Sequence, residues 1–275
     1  MSSAGARLPA LRSIAVTPLD QAALRAALPG WARLDVVPTT GSTNADLIAA
    51  AADAPDRTVL VAEHQTAGRG RLTRSWSSPA GSGLTFSVLL RPTGVPQHRF
   101  GWLPLLAGLA LVDAVRGFID ARCGLKWPND LLLGDDQGKA AGILAEVADP
   151  TAPAVVVGIG INIASAPPEE PAATCLAAHG PTPDRADVLV AFLRCFDERE
   201  AHWRESGGDP LAARADYRGA CLTLGSAVRV TLPGEGYVDG IAEDVDPDGR
   251  LLLVEPGGRR RAVAAGDVMH IRATP

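Results

Sequence analysis

Three apolar segments of strand length follow one another with no room for a helix between them: Leu125–Leu133, Ala140–Val147 and Ala154–Ile163. This run does most to limit the fold. Strands grouped around few helices favour an α+β architecture over strict βαβ alternation. Gly134–Gly138 is short and turn-like, so the first two segments are expected to form a hairpin. A fourth strand is expected at Leu84–Leu90, with shorter ones at Trp31–Val37 and Thr58–Glu63.

The helices follow from period and caps. Pro18–Leu28 reads as a helix with Thr17 as N-cap, Pro18 in the first turn and Gly30 after the end. Thr43–Ala52, Gln97–Ala121, Arg185–Glu205 and Leu211–Ala220 are also expected to be helical. Residues 1–16 lack periodicity and read as a loose tail. Residues 64–83 are rich in Gly, Ser and Arg, a loop of a length that often carries function. From about Gly225 the character changes. Val228–Leu232, Gly236–Ala242, Leu251–Glu255 and Arg259–Val263 read as short strands, with the turn dipeptides Asp248-Gly249 and Gly257-Gly258 between them. They imply a small β-barrel module joined to the rest near Leu222–Gly225.

Composition narrows the class. The 275 residues are 47% hydrophobic and 21% charged, ordinary for a globular chain. No apolar run reaches the ~18–20 residues that span a bilayer. The first thirty residues lack an apolar signal core, so a cytoplasmic protein is expected. A net charge of −5 argues against bulk nucleic-acid binding. The cysteines Cys123, Cys175, Cys195 and Cys221 show no CxxC spacing and read as reduced, packed thiols. Against 24 arginines stand only two lysines, Lys126 and Lys139, and three asparagines, Asn44, Asn129 and Asn162. Arg and Asp do not reproduce the geometry of these residues, so the five survivors mark where to look.

Several familiar motifs fail. Gly134–Lys139 is one residue short of a phosphate loop, and Ala140 lacks its hydroxyl. Gly68-x-Gly70-x-x-Thr73 misses the third glycine of a dinucleotide loop. The five histidines lack ligand spacing, and no GxSxG elbow is present.

Five segments can carry chemistry. Gly68–Trp76 places Arg69, Arg71 and Arg74 within six residues. Arginine suits bidentate phosphate or carboxylate binding, and Trp76 could close over a flat ring. Taken alone the segment reads equally as a solvated arginine loop. Lys126-Trp127-Pro128-Asn129-Asp130 combines a cation, a rigid Pro, an amide and a carboxylate able to hold Mg²⁺. It is also an ordinary turn composition. Lys139 opens an apolar strand in which Gly142 marks close backbone approach. Gly158-Ile159-Gly160-Ile161-Asn162 ends a buried strand in an amide. Gly41-Ser42-Thr43-Asn44 is both a good N-cap and a polar cluster fit for a ureido or carbonyl head group.

Taken together, these segments resemble the biotin–protein ligases. The resemblance rests on Ser42-Thr43-Asn44, on Gln65 before Gly68-Arg69-Gly70-Arg71 and Trp76, on Lys126–Asp130, on Lys139 with Ala141–Leu144, and on Gly158–Asn162. It covers about residues 31–271. The fold it implies is a class II synthetase-like mixed sheet with flanking helices plus a small SH3-like β-barrel. The implied domains are a tail and helix at 1–30, a catalytic domain at 31–222 and a β domain at 223–275. The activity implied is activation of biotin by ATP to biotinyl-5′-AMP and transfer of biotin to a lysine of a carboxylase's carrier domain. The alternative is a lipoate or octanoate ligase on the same scaffold.

The resemblance assigns Ser42, Thr43, Asn44, Gln65, Gly68, Arg69, Gly70, Arg71, Lys139 and Gly142 to biotin. Lys139 and Arg71 are expected to be catalytic. Arg74, Trp76, Asn129, Asp130 and Asn162 are assigned to ATP, with Asp130 on Mg²⁺. Thr73 stands where the family often has glycine. No DNA partner is expected, because the N-terminal DNA-binding domain of the bifunctional members is not seen, and no membrane is expected, because no apolar run is long enough to span one.

Overall fold

The computed structural model describes residues 17–71, 74–77, 81–149, 153–234 and 236–271. The expected tail at 1–16 and Thr73 lie outside them. Helix α1 spans Gln21–Ala27. Its cap is Asp20, not Thr17, and the start is three residues later than expected. One Asp20 carboxylate oxygen accepts from the N–H groups of both Ala22 and Ala23, at 2.9 and 3.1 Å, which satisfies two orphan donors at once. Strands β1 (Arg33–Val37), β2 (Thr58–Ala62) and β3 (Gly83–Leu90) flank helix α2 (Thr43–Ala49).

The expected long helix over Gln97–Ala121 is broken. A 3₁₀ turn covers Gln97–Arg99, and helix α3 runs only over Trp102–Val115. Pro104 sits in its first turn, where a missing N–H costs nothing. Helix α3 is apolar on every side because the sheet covers one face and α4 (Arg185–Glu205) another.

The apolar segment over Leu125–Leu133 is two strands rather than one. They are β4 (Cys123–Lys126) and β5 (Asp130–Leu133), paired as a hairpin through Trp127-Pro128-Asn129. The Trp127–Pro128 peptide is cis, and the Asn129 N–H bonds the Lys126 carbonyl at 3.1 Å. The expected hairpin across Gly134–Gly138 is present between β5 and β6 (Gly138–Asp149), with Gly134 and Gln137 at positive φ. Strand β7 (Ala154–Asn162) completes a seven-stranded sheet ordered β1-β2-β3-β7-β6-β5-β4. Only β1–β2 is parallel, so the sheet is mixed.

Helix α5 (Leu211–Ala220) leads into a second sheet of five antiparallel strands, β8 (Ala227–Thr231), β9 (Tyr237–Val245), β10 (Leu251–Val254), β11 (Arg260–Val263) and β12 (Asp267–His270). Their order is β11-β10-β9-β8-β12. Strand β12 has no apolar run and was not expected; its pairing with β8 alone defines it. One hydrophobic core joins the sheets: Trp102 and Tyr217 meet edge to face at 6.2 Å, and the Trp127 indole N–H bonds the Gly249 carbonyl at 3.2 Å. Among the described residues no helix is long and apolar enough to cross a membrane. All four cysteines are free thiols.

Candidate active site

Strand register builds the floor of the site. Antiparallel pairing aligns Lys126, Asp130, Gly142, Gly160 and Thr85 in one row across four strand pairs. Partners in register share a face. Two residues further along, Leu144, Gly158 and Ser87 form the next row of that face. All but Ser87 line one cavity of about 1830 Å³.

The glycines there are needed for space. A Cβ on Gly160 would overlap the Trp76 indole, one on Gly158 would overlap the Asn44 amide, and one on Gly142 would lie 3.3 Å from Trp76. Lys139 and Gly142 are three residues apart, so a regular strand would set them on opposite faces. The register shift at Leu131/Leu132 removes one residue from the count. Lys139 thereby joins the face of Asp130 and Gly142, its Nζ 2.8 Å from the Asp130 carboxylate.

At one end of the floor the N-terminus of α2 brings buried polar groups together. The Gln65 side-chain oxygen accepts from the Thr43 N–H at 2.8 Å, which turns its NH₂ outward as a donor. Asn44 is fixed the other way. Its NH₂ donates to the Leu144 carbonyl at 3.1 Å and to Glu146 Oε2 at 2.7 Å. Both acceptors lack protons, so Oδ1 must be the oxygen. Ser87 Oγ lies 2.6 Å from both Thr43 Oγ1 and Asn44 Oδ1. An amide oxygen only accepts, so the Ser87 hydroxyl donates to Asn44. This end therefore offers an acceptor at Asn44 and a donor at Gln65. Ser42 caps α2, accepting from Ala45 N at 3.4 Å.

The other end is cationic. Besides Lys139, the cavity is lined there by Lys126, Arg71 and Arg74, while Arg69 reaches back to the polar end and pairs with Glu146 at 3.2 Å. Arg74 pairs with Asp267 of β12. Burial lowers the Arg71 pKa from its ordinary value; Asp267 and then Asp130 oppose this, and Arg74 adds to it. Among the described residues neither Arg71 nor Lys126 has an ion-pair partner. A cation partly withdrawn from water without a bonded anion favours an anionic ligand. The Lys139 ammonium is 5.9 Å from the Trp76 ring centre, and the buried indole nitrogen of Trp76 makes no hydrogen bond.

Of the site residues expected from sequence, all but Gly68 line this cavity. Gly68 acts beside it: its carbonyl accepts from the Trp76 N–H at 2.9 Å, and a Cβ would collide with the Trp76 carbonyl. Asn129 and Asn162 spend their NH₂ groups on the Ile143 and Thr174 carbonyls, at 2.9 and 3.0 Å, so both hold the cavity wall. Four contributors were missed. Glu146 ends the alternation Gly142-Leu144-Glu146, a signal that was readable. Thr223 accepts from the Trp127 N–H at 3.0 Å, and Asp267 with Met269 brings β12 to the rim; neither has a local signature.

The chain matches the family model for the biotin/lipoate A/B protein ligase family over residues 36–162, and that for the biotin protein ligase C-terminal domain over 223–270. It is 50% identical to a biotin–[acetyl-CoA-carboxylase] ligase of Mycobacterium tuberculosis, across 93% of this chain and 97% of that one. It is 35% identical to the bifunctional ligase/repressor BirA of Bacillus subtilis, across 84% of this chain and 71% of that one. The biotin protein ligase of Aquifex aeolicus, solved with biotin and ATP, superposes with a TM-score of 0.73 at 29% identity, covering 88% of this chain and all of that one. With a matching fold, both family models and a half-identical relative along nearly its whole length, the chain belongs to the biotin protein ligase family.

Proposed function

We propose that the protein activates biotin with ATP to biotinyl-5′-AMP and passes biotin to a lysine of a carboxylase carrier domain. The observation that carries this reading is one continuous floor that includes Gly142, Gly158 and Gly160, with a donor–acceptor pair at one end and, at the other, cations without an ion-pair partner among the described residues. A ureido ring presents N–H donors and a carbonyl acceptor, which suits Asn44 Oδ1 and the Gln65 NH₂. A lipoyl head has no such groups, so the polar end would be left unsatisfied.

Position in the cavity supports the following roles. Ser42, Thr43, Asn44 and Gln65 receive the head group, Gly142 lets the chain lie against the sheet, and Gly158 and Gly160 leave room for Asn44 and Trp76. The biotin carboxylate oxygen attacks the α-phosphorus, the bond to the bridging oxygen breaks, and pyrophosphate leaves. Two anions must approach, so cations that stabilise the developing charge lower the barrier. Lys139 and Arg71 are placed for this, with Arg74 and Trp76 beside the nucleotide and Asn129 and Asn162 shaping its wall. In the second step the carrier amine attacks the acyl carbon and AMP leaves. No protein nucleophile is needed, and a loop folded over the anhydride excludes water.

Mg²⁺ fits the donor set. Asp130 is a single carboxylate on the floor, and Mg²⁺ with a nucleotide takes one or two carboxylates, phosphates and water. When bound, the ion supplies charge neutralisation at the phosphates. Asp130 would hold it while Lys139 turns from Asp130 to the phosphoryl oxygens. We assign residues 31–222 to the catalytic unit, 223–275 to an SH3-like β unit and 1–30 to a leading tail and helix. The setting that supplies ATP and an unmodified carrier is the cytoplasm. The test is pyrophosphate release with ATP plus either biotin or lipoate. Release with biotin alone is expected, and preference for lipoate would overturn the reading.

A further inference from the structure

Glu146 is absent from the roles above, yet it touches both halves of the biotin end. Its Oε2 accepts from Asn44 Nδ2 at 2.7 Å and lies 3.2 Å from Arg69 Nη2. Asn44 is buried on the rigid N-terminus of α2, whereas Arg69 belongs to the long glycine-rich loop. One carboxylate oxygen thus bridges a fixed recognition group and a loop side chain that is 47% exposed. We propose that Glu146 is a positioning residue that couples head-group recognition to the placement of the Gly68–Arg71 loop. The inference rests on the biotin reading of this site.

The chemistry has two parts. Asn44 has two amide protons; Leu144 takes one and Glu146 the other. With both spent, Asn44 can only accept toward the cavity, so the site selects a ligand that donates an N–H there. The ion pair then tethers Arg69 to the strand that carries Gly142 and Leu144. Loop placement and amide orientation depend on the same oxygen, so disturbing one side is felt at the other.

Two substitutions separate the parts. Glu146→Gln keeps an acceptor for Asn44 but removes the charge opposite Arg69. An exposed pair is worth up to ~1 kcal/mol, so trypsin cleavage after Arg69 and Arg71 should rise about two- to fivefold without added biotin. Biotin KM should rise by a similar factor while ATP KM and kcat hold. Glu146→Ala also strips the acceptor from a buried amide, so biotin KM should rise ~10-fold or more. Arg69→Gln alone should match Glu146→Gln in cleavage after Arg71, the site that all variants keep, and in biotin KM, and the double variant should be no worse than either single. Additive effects, or a rise in ATP KM equal to that for biotin, would overturn the coupling. The cleavage arm needs no substrate. If wild type released no pyrophosphate with biotin, the functional reading would fail while the coupling could still be read. Should Glu146→Ala not fold, wild-type cleavage in rising salt carries the test: a rate unchanged between low and high salt removes the ion pair from loop placement.

Discussion

At the scale of single residues the site depends on what is small and on what is charged. Lys139 is the cation brought onto the reactive face by a bulge and held on Asp130. Lys139→Ala should fold normally and lower the rate of pyrophosphate release by ~10²–10³, the usual loss for a group that stabilises developing charge. Lys139→Arg should restore only part, since a planar fork does not reproduce an ammonium on a short row. Wild-type release by the alanine variant would remove Lys139 from the chemistry. The glycines are tested by adding a methyl group. Gly158→Ala would press on the Asn44 amide and Gly160→Ala on the Trp76 indole. The first should raise biotin KM, and the second should shift tryptophan fluorescence and raise ATP KM, each with a stability cost of ~1–3 kcal/mol from overpacking. Identical effects of the two on both KM values would show that the floor is not divided as described.

At the scale of elements, the glycine-rich loop and the β12 edge meet over the cavity. Arg69 reaches Glu146 of β6 and Arg74 reaches Asp267 of β12, so the loop is tied to both sheets. Trypsin cleavage within Arg69–Arg74 should slow when biotin and ATP are added, and equal rates would exclude coupled ordering. A second junction holds the β unit to α5. Asp244 accepts from Arg218 and Arg214, and its carboxyl is lowered to about 2, chiefly by the Arg218 hydrogen bond. A carboxylate whose folded pKa lies below its unfolded value stabilises fully above the unfolded value, near 3.8. That contribution is lost as pH falls from about 4 toward 2. Asp244→Asn should therefore flatten the acid limb of a stability–pH curve in that window. It should cost no more than about 1 kcal/mol at neutral pH, because Arg218, the main partner, is half exposed to solvent. An unchanged acid limb would remove the pair from the acid response.

At the scale of the whole molecule, a reactive adenylate forms in a chain with only two side-chain ammoniums, and both line its cavity. Lys139 is paired with Asp130 and Lys126 has no ionic partner among the described residues. Self-biotinylation should be low, fall mainly on the N-terminal amine, whose reference pKa is ~7.7–8.0, and touch Lys126 before Lys139. Peptide mass mapping after incubation with biotin and ATP decides this, and heavy label on Lys139 would contradict its pairing. The same two lysines show what the sequence determined alone. In an arginine-rich chain the few retained Lys and Asn marked where to look, and all five line the cavity. Helices α4 and α5 were equally legible, because period and flanking breakers are local properties. The limits of α1 and α3 were less so, since competing caps and a packed turn decided them. Tertiary structure alone decided that Lys139 and Gly142 share a face, that Trp76 lies over Gly160, that Glu146 serves Asn44 and that β12 forms part of the rim. These contacts depend on cross-strand register and on pairs as far apart as Asn44 and Leu144, separated by 100 residues, and no local pattern encodes the register of one strand against a distant one.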